Sequence, residues 1–164
     1  MAIRQFTCER FSVVSAQSFE DVLLRLEEGI GRPDIRKLQQ KVSKTTSFSE
    51  YEKLICEVVG SADLMEFLRL DLGAPLRRDP NAKDYKIVRI IAGNPLIMKQ
   101  MTEYVPDAGS YAPVSILVYE SSDGVHLCYD TMASLLAGYG NEKALEVARS
   151  LDDKVINLLT AAAA

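Results

Sequence analysis

His126, Cys128 and Asp130 stand at alternate positions of one short stretch, and imidazole, thiol and carboxylate are all zinc-ligand types. If the stretch is a strand, the three side chains share a face. Neighbours are then about 6.6 Å apart, so two could meet one ion, but the third stands about 13 Å from the first. No metal is expected there, and a sheet surface covered by a helix, a ligand or a second subunit is the favoured reading. His126 is the only histidine, so it is the one side chain whose ordinary pKa suits acid–base work near neutral pH. The chain has no G-x-S-x-G, no G-x-x-x-x-G-K-[ST] and no H-E-x-x-H, and Gly29-Ile30-Gly31 lacks the third glycine of a dinucleotide fingerprint. The acidic pairs Glu27-Glu28 and Asp152-Asp153 read as solvated charges on helices. No catalytic residue and no cofactor is assigned.

The elements that position this stretch are legible from local patterns. Val114 to Glu120 and Val125 to Asp130 read as a hairpin reversing at Ser121-Ser122-Asp123-Gly124. Pairing Glu120 with Val125 puts Tyr119 opposite His126 and Leu117 opposite Cys128. One face then carries Ser115, Leu117, Tyr119, His126, Cys128 and Asp130, and the other, apolar face carries Ile116, Val118, Val125, Leu127 and Tyr129. Residues 10–16 and 64–72 read as strands, and so does Tyr85 to Ile91, whose Ile87-Val88-Arg89-Ile90-Ile91 run suggests burial on much of both faces. Gly93-Asn94-Pro95 turns that strand into a helix, with Asn94 as cap, Pro95 in the first turn, and Ile97, Met101 and Tyr104 inward. Ser18 starts the first helix, Pro33 a second and Ser47-x-x-Glu50 a third. Asn141 caps the last, whose stripe is Ala144, Leu145, Ala148, Leu151, Val155, Leu158 and Leu159. Ala161 to Ala164 read as a frayed end. Tight hairpins with few βαβ units argue an α+β fold, its sheet mostly antiparallel and helices on one face.

The 164 residues favour one domain spanning 1–164. The formal charge of −4 gives no reason to expect nucleic acid as a partner. The basic stretch Arg32 to Lys44 reads as a solvated helix face. No apolar run suffices to cross a membrane, Met1 to Phe6 lacks a signal-peptide core, and Cys8, Cys56 and Cys128 are too few and too widely spaced for a disulfide framework. Cytoplasm is the expected location.

Three marks occur in order: Gly93-Asn94-Pro95 after an apolar strand, the stretch Pro113 to Glu120, and Asp123-Gly124 followed by a strand ending Tyr129-Asp130. Together they resemble the family called domain of unknown function 302, best from about Phe67 to Leu159. The resemblance implies a compact α+β fold of the TATA-binding-protein-like class. Its sheet would be curved, in the order β-α-β-β-α-β-β-α, packed on helices, with an extra helical insertion here near 32–60. It also implies pairing as a homodimer. It brings no established activity and no catalytic residue.

The function expected is a non-enzymatic small-ligand-binding or sensing domain acting as a homodimer. Asn94, Tyr119, His126, Cys128 and Tyr129 are its candidate ligand contacts, and free N–H groups at the Asn94 helix start would suit an anionic group. The alternative is a structural or protein-interaction module without a pocket, and a third reading is an uncharacterised enzyme relying on His126.

Overall fold

The computed structural model describes Ile3 and residues 5–164; Met1, Ala2 and Arg4, part of the segment read above for a signal peptide, lie outside the described residues. In chain order the elements are β1 (Arg10–Ser15), α1 (Phe19–Gly29), β2 (Ile30–Gly31), α2 (Ile35–Val42), α3 (Phe48–Cys56), β3 (Leu64–Asp71), β4 (Ile87–Gly93), α4 (Pro95–Thr102), β5 (Val114–Ser121), β6 (Gly124–Asp130), α5 (Met132–Ala137) and α6 (Glu142–Ala163). The strands form one curved sheet in the order β1-β6-β5-β4-β3-β2. Every pairing is antiparallel except β2 with β3. The fold class is α+β.

Helix starts follow local chemistry. The side chains of Ser18, Ser47, Asn94 and Asn141 accept from the N–H groups of Asp21, Glu50, Leu96 and Ala144. Each satisfies a donor that the first helical turn leaves orphaned. The second helix begins with Asp34 as cap rather than with Pro33. The hairpin has the expected register: Glu120 faces Val125, Tyr119 faces His126 and Leu117 faces Cys128. Gly124 closes the turn at φ 135°, a conformation that side-chain-bearing residues rarely adopt.

The main core lies between one sheet face and the helices. Val88, Ile90, Ala92, Val114, Ile116, Val118, Val125, Leu127 and Tyr129 face inward, and the whole expected α6 stripe is buried against them. A smaller cluster of Leu38, Ile55 and Met65 joins α2 and α3 to β3.

Several expectations change. Helices are not confined to one face: α2 and α3 cover the second face at Met65 and leave the rest open, so β4 alternates instead of being buried on both faces, with Arg89 exposed and Ile87 and Ile91 only half-buried. Tyr104 is exposed because α4 ends at Thr102 and the helical phase is lost. Glu27 is no free charge; it pairs with Arg69 at 2.5 Å and Arg32 at 2.7 Å. Asp152 is 6% exposed and lies within the structure's interior. The C-terminal alanines continue α6 through Ala163, and Ser15 Oγ donates to the Ala163 carbonyl at 2.7 Å. The basic stretch is solvated as expected: Arg32, Arg36, Lys37, Lys41 and Lys44 are exposed.

Candidate functional site

The uncovered face of the sheet is organised in rungs, because residues opposite one another in paired strands share a face. One rung runs Leu70, Arg89, Leu117, Cys128, Ser12 from β3 to β1. The next toward the hairpin turn runs Ile87, Tyr119, His126, Val14, and on the other side stand Leu68, Ile91 and Ser115. Three of the five sequence candidates, Tyr119, His126 and Cys128, thus meet on this face.

Tyr119 and His126 stack with ring centroids 4.8 Å apart and planes 10° from parallel. His126 Nε2 lies 2.8 Å from Asp123 Oδ1 at the turn, and this hydrogen bond holds the Asp123 carboxyl below its ordinary range. Burial raises the Tyr119 hydroxyl pKa, and the neighbouring Cys128 adds to the effect. Cys128 is buried, with Ser12 Oγ donating to its sulfur at 3.5 Å. At the far end Arg10 clasps Asp130 through two hydrogen bonds of 2.5 and 2.8 Å. That clasp holds the Asp130 carboxyl below its usual range and raises the guanidinium. Asp130 is thereby neutralised as a prospective metal ligand. Among the described residues no group of three or more His, Cys, Asp or Glu is placed to hold a metal ion.

A groove of about 500 Å³ crosses this face between Arg89 and Arg10. Leu117 and Cys128 line its floor, and Tyr111 with Met132 and Leu135 of α5 line its wall. Arg89, missed by the sequence reading, is its distinctive group. Its Nε donates to Ser115 Oγ at 2.7 Å, and no carboxylate of the described residues lies within ion-pair distance of it. Both terminal nitrogens thus have N–H groups to offer. Arg89 is a lone charged residue in a run of aliphatics, and that is the sequence signal which could have exposed it.

Asn94 and Tyr129 lie elsewhere. Asn94 Oδ1 accepts from Leu96 N–H at 2.8 Å, while Nδ2 donates to the Asp63 carbonyl at 3.1 Å and to its carboxylate at 2.9 Å. The side chain itself therefore occupies the helix start where an anion was expected. It borders an apolar cavity of about 160 Å³. Tyr129 faces the core, where its hydroxyl donates to Asp152 Oδ1 at 2.6 Å and burial raises its pKa.

No curated protein matches the sequence. Among solved structures, an uncharacterized conserved protein DUF302 from Bacillus stearothermophilus has the same fold, with a TM-score of 0.64 at 11% identity. The match covers 93% of this chain and 96% of that one. The family model for the domain of unknown function DUF302 matches residues 38–162, starting inside α2 and so taking in α3. The match extends over most of the sequence, and the chain belongs to the DUF302 family.

Proposed function

We propose that the chain, as one domain, is a non-catalytic binding or sensing module for small carboxylates, with its site in the open-face groove. The observation that carries this reading is Arg89. Its guanidinium sits in a concavity of ligand size, with a hydroxyl as its side-chain acceptor and no carboxylate beside it. A guanidinium matches a carboxylate through two parallel hydrogen bonds. Leu117 and Cys128 would contact the ligand body, with Met132 behind the groove wall, and Tyr119 and His126 close the face toward the hairpin turn. Isothermal titration with acetate, propionate and the matched primary amines tests it. Carboxylates bind and amines do not, and Arg89→Gln weakens carboxylate binding about tenfold to hundredfold, as loss of about 1.5–3 kcal/mol of charge-assisted hydrogen bonding implies. Equal affinity of parent and variant would reject the assignment. The three free thiols suit the cytoplasm as the location.

A second feature supports action as a homodimer. Leu68 and Val14 on the open face are 50% and 46% exposed, and Leu72 at its edge is 41% exposed. These aliphatics stand on the β3 and β1 sides of the face, where a second surface laid across it would cover them, and closed two-fold pairing is the commonest oligomer. Sedimentation velocity is expected to show a dimer that Leu68→Glu with Leu72→Glu converts to monomer. A parent chain that stays monomeric at every concentration would leave those leucines without this role.

A further inference from the structure

Resting on that reading, we infer that the ligand is a monocarboxylate with an apolar tail, its head at Arg89 and its tail in the cavity beside Gly93. The cavity is lined by Phe67, Pro95, Met98, Met101, Pro113 and Leu151, and its wall is almost wholly apolar. At about 160 Å³ it has room for a benzene-sized group. Water has few partners there, so a hydrocarbon tail is the occupant its chemistry favours.

Head and tail sites adjoin one another. Arg89 and Gly93 are four residues apart on β4, so they share a face and stand roughly 13 Å apart. Pro113 and Val114 line both the groove and the cavity. Gly93 stands at their junction, where the space is tight. A Cβ there would stand 3.2 Å from Pro113 Cβ and 3.7 Å from Phe67 Cε2, in the space between them. The methionines add adaptability, since their unbranched side chains adjust to tails of different shape. Fatty acids of medium length and ω-phenylalkanoates are the matching class.

The methionines also supply the test. Met132 lines the groove, and Met98 and Met101 line the cavity. With methyl-labelled methionine, acetate is expected to shift the Met132 resonance alone. Decanoate should shift Met132, Met98 and Met101. Affinity should rise about fourfold per added methylene until the cavity is full. Gly93→Ala should keep the acetate response while losing the cavity shifts and the chain-length gain. Should that variant fold poorly, the methyl pattern of the parent protein decides by itself. A Met132 shift with both acids, without cavity shifts or a chain-length gain, would overturn the tail site and leave the groove reading standing. Decanol moving Met98 and Met101 as strongly as decanoate does would separate the cavity from Arg89 and overturn the inference. If neither acid moves Met132, the groove reading fails, and this inference with it.

Discussion

Asp152→Ala is expected to lower the free energy of unfolding by about 3–5 kcal/mol in urea denaturation, because three donors lose one shared acceptor. The Asp152 carboxylate accepts from Tyr129 O–H at 2.6 Å, Met132 N–H at 2.7 Å and Ala133 N–H at 3.0 Å. The two amides open α5, whose cap position, Thr131, supplies no side-chain hydrogen bond. A carboxylate from α6 therefore caps another helix and ties it to the core tyrosine of β6. Tyr129→Phe removes a single donor and is expected to cost about 1 kcal/mol. Asp152→Asn keeps the shape but turns an N–H toward other donors, so it falls between the two. An alanine variant within about 0.5 kcal/mol of the parent, the range of ordinary surface changes, would show that water replaces the carboxylate freely.

The same group carries a pH signature. Burial raises the Asp152 pKa, and hydrogen bonds from Tyr129, Ala133 and Met132 only partly offset it. An unfolded aspartate titrates near about 3.9. Between that value and the raised folded one, the folded chain holds a proton that the unfolded chain has released. The stability this carboxyl contributes is complete below about 3.9 and is lost as pH rises through its folded value. Asp130 and Asp123 act in the opposite sense. Their depressed values give stability that is present above about 3.9 and lost as pH falls through their folded values. The parent's advantage over Asp152→Asn should therefore shrink as pH is raised from about 4. An advantage that grows would mean the three hydrogen bonds outweigh burial.

Asp152 also marks where sequence reasoning stops short. The hairpin was legible to its register, because Asp123-Gly124 fixes the reversal and strict alternation fixes the faces. The caps at Ser18, Ser47, Asn94 and Asn141 were legible because they act on N–H groups within three residues. Asp152 looked solvated by its charge and its neighbour Asp153. Yet it stands four residues after Ala148, three before Val155 and seven before Leu159, inside the buried period of α6. That spacing was a usable signal. The uncovered face was harder to see: the aliphatics of β4 read as apolar on both sides, and in Ile87 to Ile91 only the lone charge of Arg89 marks an open face. The groove itself went unseen because its wall, Tyr111, Met132 and Leu135, comes from distant segments. The two-residue β2 was equally hidden, since it is too short for any periodicity and exists through a contact with a distant segment.

That contact gives the other large effect: Gly31→Ala is expected to destabilise the fold by about 3 kcal/mol, at the upper end of overpacking costs. At this crossing β2 runs against the segment that leaves α3. A Cβ at Gly31 would overlap the Val58 carbonyl oxygen and lie 2.8 Å from Gly60 N. A Cβ at Gly60 would overlap the Gly29 carbonyl oxygen and stand 2.5 Å from Gly31 N. Every obstructing atom is backbone, so no side-chain rotation relieves the clash. The surrounding ladder is local: Ala62 N–H donates to Gly29 O and Gly60 N–H to Leu64 O, both at 2.9 Å. Hydrogen exchange at these two amides should accelerate in Gly31→Ala, along with the loss of stability in urea. Gly109→Ala, whose Cβ would meet only Thr102 Cγ2 at 3.7 Å, serves as the open-space control. Gly31→Ala and Gly60→Ala force the same two backbones apart, so the double variant should lose clearly less than the sum of the singles. Additive losses would mean that each alanine is accommodated by a separate movement, and the crossing would not be the shared constraint that holds β2 on the sheet.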